Sequence, residues 1–334
     1  MIINGLRNAG FHVDTCLPPD KKFKNYPRLL LEFWKKRRDC DLVVVGFYGQ
    51  LIFPFVWLMT RKPILYDVYV STTGTMIDDR GIGSQNSLKG WLFWLADYVS
   101  MQLSDKIILE TKAHIRIYEK MFGVPSGKFF HIFLAADDQV IKEKEKPNNN
   151  GQFLCHFHGE YAAFHGVRHI LHAADLLKDE NIHFQIIGTG ITYEEDMRLA
   201  KKLNLKNCTF IPRVPYDELA DYMSRADCCL GFFGVNPRAT RVLTNKVIES
   251  VAVGRPLINS KNEPIQELLQ DGKSALLVER GNPKAIAEAI LKLRDNAELR
   301  NTIGKNGYEA FKQNCTLQIF SEKLKTVVEE MLHD

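Results

Sequence analysis

A chain of 334 residues, 45% hydrophobic and 25% charged, has an ordinary globular composition, which excludes a disordered chain, a collagen-like chain and a disulfide-scaffold peptide. At ~100–200 residues per domain, two domains are expected, with a single large one as the fallback, and enough buried surface to need no metal or disulfide staple. The net charge of +4 is unevenly spread, with 21 basic and 16 acidic side chains in residues 1–150 and 23 and 24 in the remainder; this permits an anionic partner but is too mild for a nucleic-acid protein.

In chain order, Met1–Gly10 reads as a helix stopped by Gly10. Short apolar runs predict strands at Phe11–Cys16, Asp41–Gly46, Pro63–Asp67, Lys106–Glu110 and Lys128–Phe133. Helical patterns fall at Pro27–Arg38, Gln50–Thr60, Leu88–Leu103 and Lys112–Phe122. Lys142–Gly151 is charged, then rich in Pro, Asn and Gly, and is the best linker in the chain. Alternation then restarts, with strands predicted at Gln152–His158, His183–Gly188, Cys208–Ile211, Cys228–Phe232, Pro256–Asn259 and Ala275–Val278. Helices are predicted at Val167–Lys178, Glu194–Leu203, Tyr216–Ser224, Lys246–Val253, Ile265–Leu269, Pro283–Arg294 and Leu317–Leu332. Strand–helix alternation on both sides of a linker argues for an α/β protein of two parallel-sheet domains, 1–145 and 146–334, binding ligands at a cleft by the carboxyl ends of their strands. A domain of this kind normally begins with a strand and a Gly-rich turn. Neither is present at the start of the chain, so the first domain is expected to be built differently or to lack its first strand.

The seven cysteines are odd in number and show no CxxC spacing, which points to a reducing compartment and no zinc site. The opening residues carry no charged-then-apolar leader pattern, and the most apolar stretch, Gly46–Met59, falls short of the ~20 residues a spanning helix needs. A cytoplasmic protein is expected. Lys21–Arg38 holds eight basic residues and one acidic, interleaved with Leu30, Leu31, Phe33 and Trp34. That composition fits peripheral contact with an anionic membrane surface, or equally a helix whose basic end complements its own dipole.

Four segments could carry chemistry. Phe157–Gly166 follows a strand and opens a helix; Gly159 and Gly166 allow close backbone approach, and His158 and His165 could donate to a phosphate. The alternative is an ordinary loop with solvated histidines. Ile187-Gly-Thr-Gly190, with Gly188, is either a tight strand-to-helix connection or a ligand contact. The richest segment runs from Gly231 through Gly234 to Glu249. Arg238, Arg241 and Lys246 gather there, Thr244 or Asn245 can cap the next helix, and Glu249 lies three residues after Lys246 on the same face. Cations at a helix start suit a diphosphate, and a carboxylate one turn in suits the paired hydroxyls of a ribose; a surface Lys–Glu pair is the bland alternative. In the first half Asp67, Ser71, Asp79 and Arg80 follow a strand and could hold an acceptor hydroxyl, although Asp79-Arg80 is equally readable as a structural ion pair.

Phe157-His-Gly through Phe164-His-Gly166, Gly231-Phe-Phe-Gly234, Asn245-Lys-x-x-Glu249, Gly254-Arg-Pro256 and the run from Glu267 to Val278 resemble the retaining glycosyltransferases of family 4 (glycosyl transferases group 1). Phe47-Tyr-Gly-Gln50, Asp67-x-x-x-Ser71 and Asp79-Arg80 extend the resemblance more loosely. The resemblance implies a GT-B fold of two Rossmann-like domains facing across a cleft. A nucleotide-sugar donor would be held by the second domain and the acceptor mainly by the first, with no cofactor beyond the donor and no bound metal. It places Glu249 on the ribose, Lys246 on the diphosphate and Arg213-Val214 around the base, with Gly159, His165, Gly188, Gly234, Arg238 and Thr244 completing the donor site. Asp67, Arg238 and Lys246 are the expected catalytic set, acting on a lipid-linked or saccharide acceptor. The sequence departs from the family pattern at Arg241, where a glutamate often stands eight before Glu249. Glu160 and His165 also replace the usual Arg and Lys, so more phosphate work falls to Arg238 and Lys246. The expected activity is transfer from a UDP- or GDP-linked sugar in polysaccharide or glycoconjugate biosynthesis. A nucleotide-sugar epimerase and a non-catalytic nucleotide-binding relative are the alternatives.

Overall fold

The computed structural model describes residues 1–20, 23–46, 48–144 and 151–333. The chain separates into two compact units, 1–133 with 318–334, and 134–317. The expected boundary at 145/146 and most of the linker at 142–151 lie outside the described residues. The last helix, Leu317–His333, groups with the first unit rather than the second. It does so because Phe320 and Leu324 pack against Gly5 of the Ile2–Asn8 helix so closely that a Cβ there would meet the Phe320 ring at 2.8 Å. No local pattern reveals a contact between opposite ends of the chain.

The first unit holds a four-stranded parallel sheet ordered β1 (Val43–Val45), β2 (Ile64–Asp67), β3 (Lys106–Leu109) and β4 (Phe129–His131). Its core is built on Phe53, Ile64, Tyr66, Met101, Ile107 and Tyr118. The predicted strand at Phe11–Cys16 is a correction: that segment carries the alternating half-burial of a strand, but no strand among the described residues pairs with it. Instead, Lys36 Nζ donates to the Thr15 carbonyl at 3.1 Å. A second feature the sequence did not announce is a π-helical turn at Gly74–Asp79. It is anchored by buried Asp97, whose two carboxylate oxygens accept from the Thr72 and Thr73 amides at 2.7 and 2.8 Å.

The second unit holds six parallel strands in the order β10-β9-β8-β5-β6-β7. They are β5 (Phe153–His158), β6 (Ile182–Ile187), β7 (Cys208–Ile211), β8 (Cys228–Leu230), β9 (Leu257–Ser260) and β10 (Leu276–Val278). The order turns at the β5–β8 pair, which leaves a crevice by the carboxyl ends of those strands, where a ligand enters a doubly wound sheet. Helix Ala297–Asn314 was missed in the sequence because Gly304 and Gly307 lie in its interior, where glycine is unfavourable. Both are there for close packing: a Cβ on Gly304 would meet the Gly254 carbonyl at 2.6 Å, and one on Gly307 the Ser274 carbonyl at 3.0 Å.

Candidate active site

The site of the second unit is assembled where β5 and β6 end and helix Asn245–Ala252 begins. β5 leads into Gly159, which takes a φ of +142° that favours glycine. A Cβ there would also meet Lys246 Nζ at 2.7 Å, so the missing side chain makes the room the ammonium occupies. Gly188 closes the next loop against it: a Cβ on Gly188 would overlap the Gly159 carbonyl oxygen. Gly234 packs against the Phe164 carbonyl in the same way, and its amide donates to that oxygen at 3.1 Å. The glycines singled out in the sequence thus let three loops converge.

Lys246 is only 5% exposed, and its Nζ stands 3.8 Å from the centre of the Phe157 ring. Nζ has no hydrogen-bond partner among the described residues. Burial drives its pKa well below the usual lysine value, with Glu249 pulling the other way. Thr244, expected to cap this helix, makes no capping bond. Its Oγ1 is also buried without a partner among the described residues, and the Val247 amide goes instead to the Thr244 carbonyl at 3.0 Å. Two buried polar atoms with no partner among the described residues therefore sit at one helix start, where the Asn245 and Lys246 amides have no helical carbonyl four residues back. An unpartnered buried ammonium is costly. A dianion would satisfy the ammonium, the hydroxyl and the amides together.

Glu249, one turn on and 8% exposed, accepts from His158 Nε2 at 2.9 Å. Tyr216 faces the same carboxylate, and its hydroxyl pKa is raised by burial and by Glu249. His165 is buried, its Nδ1 bonded to the Glu160 carbonyl. Burial and the neighbouring Lys246 hold its pKa well below the usual histidine value. Arg238, on the short turn Pro237–Thr240, lays its guanidinium 4.4 Å from the centre of the Phe164 ring, beside His165. Arg241 directs Nε to the Pro237 carbonyl at 3.1 Å, so it braces the loop. Gly159, His165, Gly188, Gly234, Arg238, Thr244, Lys246 and Glu249 are therefore one neighbourhood. Arg213, exposed, and Val214, half-buried, lie in the loop between β7 and Tyr216.

Four further residues join this neighbourhood that the sequence reading did not assign there: His156, Gln185, Tyr216 and, as the partner of Glu249, His158. The available signal was a pair of histidines two apart in an otherwise apolar strand. Alternation places both on one face.

The residues proposed for the acceptor lie in the first unit. Asp67 ends β2, half-buried, with its pKa raised to about 6 by burial and by Glu110. Ser71 is buried, and its Oγ accepts from the Gly74 amide at 3.0 Å, which gives it a structural task in the π-helical turn. Asp79 and Arg80 close that turn, half-buried and exposed respectively. Phe47 of the expected Phe47–Gln50 motif lies outside the described residues, while Gln50 Nε2 donates to the Val70 carbonyl at 2.6 Å. Among the described residues no group of three or more His, Cys, Asp or Glu is placed to hold a metal.

The chain is similar to known proteins in family and fold. The family described as glycosyl transferases group 1 matches residues 138–310. The uncharacterized glycosyltransferase MJ1178 of Methanocaldococcus jannaschii is 29% identical over 229 residues, 69% of this chain and 60% of that protein. The capsular polysaccharide biosynthesis glycosyltransferase CapM of Staphylococcus aureus is 25% identical over 244 residues, 71% of this chain and 61% of that one. The chain thus spans about six-tenths of the length of these relatives. Among solved structures, Anabaena HepE in complex with UDP and glucose superposes with a TM-score of 0.74 at 14% identity, covering 95% of this chain and 85% of that one. The fold is the α/β GT-B fold of such structures.

Proposed function

The chain belongs to the glycosyl transferases group 1 family, and from that premise we propose that it moves a sugar from a nucleotide-sugar donor to a saccharide or lipid-linked acceptor with retention of configuration. The observation that carries the proposal is the pair of orphaned polar atoms, Lys246 Nζ and Thr244 Oγ1, at the start of a helix that presents Glu249 one turn deeper. Lys246, Arg238 and the helix-start amides neutralise the departing diphosphate, so catalysis is largely electrostatic. Glu249 takes the ribose hydroxyls, the Arg213–Tyr216 loop frames the base, and Asp67 meets the acceptor. The complex of HepE with UDP and glucose supports a UDP-linked donor, and CapM, named for capsular polysaccharide biosynthesis, supports a polysaccharide product.

A thermal-shift and turnover screen with UDP, GDP and their hexose and N-acetylhexosamine derivatives tests this. A raised Tm with one nucleotide series, and transfer of its sugar to an acceptor, is the expected result. Release of an epimerised free sugar, or no stabilisation by any nucleotide, would overturn it.

Peripheral contact with an anionic lipid surface is part of the same proposal. No helix among the described residues is long and apolar enough to cross a membrane. Three helices of the first unit, Tyr26–Lys36, Phe53–Met59 and Leu88–Leu103, nevertheless expose Leu31, Trp34, Phe55, Trp57, Leu58, Trp91 and Leu92. Exposed Arg28, Lys35, Arg38 and Arg61 accompany them, a mixture that suits an anionic interface; Lys21 and Lys22 of the basic stretch lie outside the described residues. Co-sedimentation with phosphatidylglycerol vesicles, weakened by salt and lost in Trp57→Glu/Leu58→Glu, is expected. Equal recovery with neutral phosphatidylcholine vesicles would contradict it.

A further inference from the structure

Behind Glu249 runs a line of buried polar side chains whose direction can be deduced. His156 and His158 share a face of β5, and Gln185 of β6 stands opposite His156 in the parallel register. All three are at most 9% exposed. Gln185 Nε2 lies 2.8 Å from His156 Nδ1 and 3.3 Å from the Tyr222 carbonyl oxygen. A carbonyl oxygen can only accept, so the amide end facing it is the NH2 group, and that same group must donate to His156 Nδ1. Burial keeps the His156 ring neutral, so its one proton sits on Nε2. That nitrogen is 3.0 Å from His158 Nδ1. His158 Nδ1 therefore accepts, its proton sits on Nε2, and Nε2–H donates to Glu249 Oε2 at 2.9 Å.

We propose that Gln185, His156 and His158 are positioning residues for the donor site: a one-way hydrogen-bond chain that sets both imidazole tautomers, delivers a neutral N–H to Glu249, and holds its carboxylate in one orientation for the ribose hydroxyls. This rests on the assignment of Glu249 to the ribose. The chain adds no positive charge beside Glu249, so the carboxylate remains a full-strength acceptor for a neutral diol. A cationic partner in the same place would compete with that diol for the oxygens. Because Gln185 lies two side chains away from Glu249, it supplies direction to the chain without touching ligand.

The first test is a nitrogen-15 spectrum of histidine-labelled, ligand-free protein, which reports tautomers directly. His156 and His158 are both expected as neutral Nε2–H rings. The second test is substitution at Gln185. In Gln185→Glu the ionised side chain can only accept, so His156 must turn its proton to Nδ1. The bias then reverses along the chain, and His158 presents a lone pair to Glu249 or takes up a proton. UDP affinity should fall about tenfold or more, while inorganic pyrophosphate, held at Lys246, should bind within about twofold of the wild type. Gln185→Met removes the bias without adding charge and should show the same selectivity with a smaller loss; it carries the test if the glutamate variant does not fold. An Nδ1–H or doubly protonated ring in the wild type at neutral pH would overturn the chain. So would folded variants that bind UDP as the wild type does, or that lose UDP and pyrophosphate alike. If the wild type bound pyrophosphate but no nucleotide, the ribose role of Glu249 would fall, whereas the tautomer spectrum would still decide the chain by itself.

Discussion

Lys246→Met is expected to lower sugar transfer by about 10²–10³-fold while leaving the fold intact. The ammonium it removes is buried, without a partner among the described residues, and placed at a helix start beside Gly159, the position we propose for the leaving diphosphate. The same substitution should make the ligand-free protein more stable, by roughly 1–3 kcal/mol, because a desolvated polar group is replaced by an apolar chain of similar length. Opposite signs on stability and activity mark a side chain kept for its ligand. Steady-state kinetics and thermal denaturation on the same preparation read both. Unchanged turnover in the folded variant would remove the donor site proposed here.

Donor affinity should fall as pH rises, at up to about tenfold per pH unit, through a window opened by Lys246. In the free protein burial holds its pKa well below the ordinary lysine value; a bound diphosphate raises it. Between those two values the complex carries a proton that the free protein lacks, so binding takes up a proton and weakens with increasing pH. The stability of the ligand-free fold moves the other way. Above the depressed native pKa and up to the unfolded value, the unfolded chain binds more protons than the native one, and stability climbs with pH. Titration calorimetry with UDP in buffers of different ionisation enthalpy, run at a series of pH values below the ordinary lysine range and repeated on Lys246→Met, isolates the protons taken up by this residue from those of the histidines. A flat affinity and no proton uptake would show that Lys246 does not meet the phosphates. In Lys246→Met both slopes should lose the contribution of this residue.

Much of the second unit could be read from its residues. Strands β5 to β10 are legible in the sequence to within two residues at each end, because each is a short, mainly apolar run flanked by glycine or polar residues. Lys246 and Glu249 were readable as partners because three residues along a helix bring side chains to one face. The first unit was less legible. Phe11–Cys16 has the composition of a strand, but pairing is a property of two segments, and none among those described pairs with it. The π-helical turn at Gly74–Asp79 depends on Asp97, more than twenty residues away, to hold the Thr72 and Thr73 amides. Helix Ala297–Asn314 was hidden by two glycines whose purpose is visible only in what they touch.

The α/β alternation, the glycine-ended strands and the cation–carboxylate spacing of the helix at Asn245 are legible in the residues alone, since each depends on positions close along the chain. Long-range packing is what leaves the Thr244 hydroxyl and Lys246 buried without partners among the described residues and sets Gln185 opposite His156. Burial, desolvation and strand register arise between segments far apart in the chain, and these settle which polar atoms find partners within the protein and which are left for a ligand.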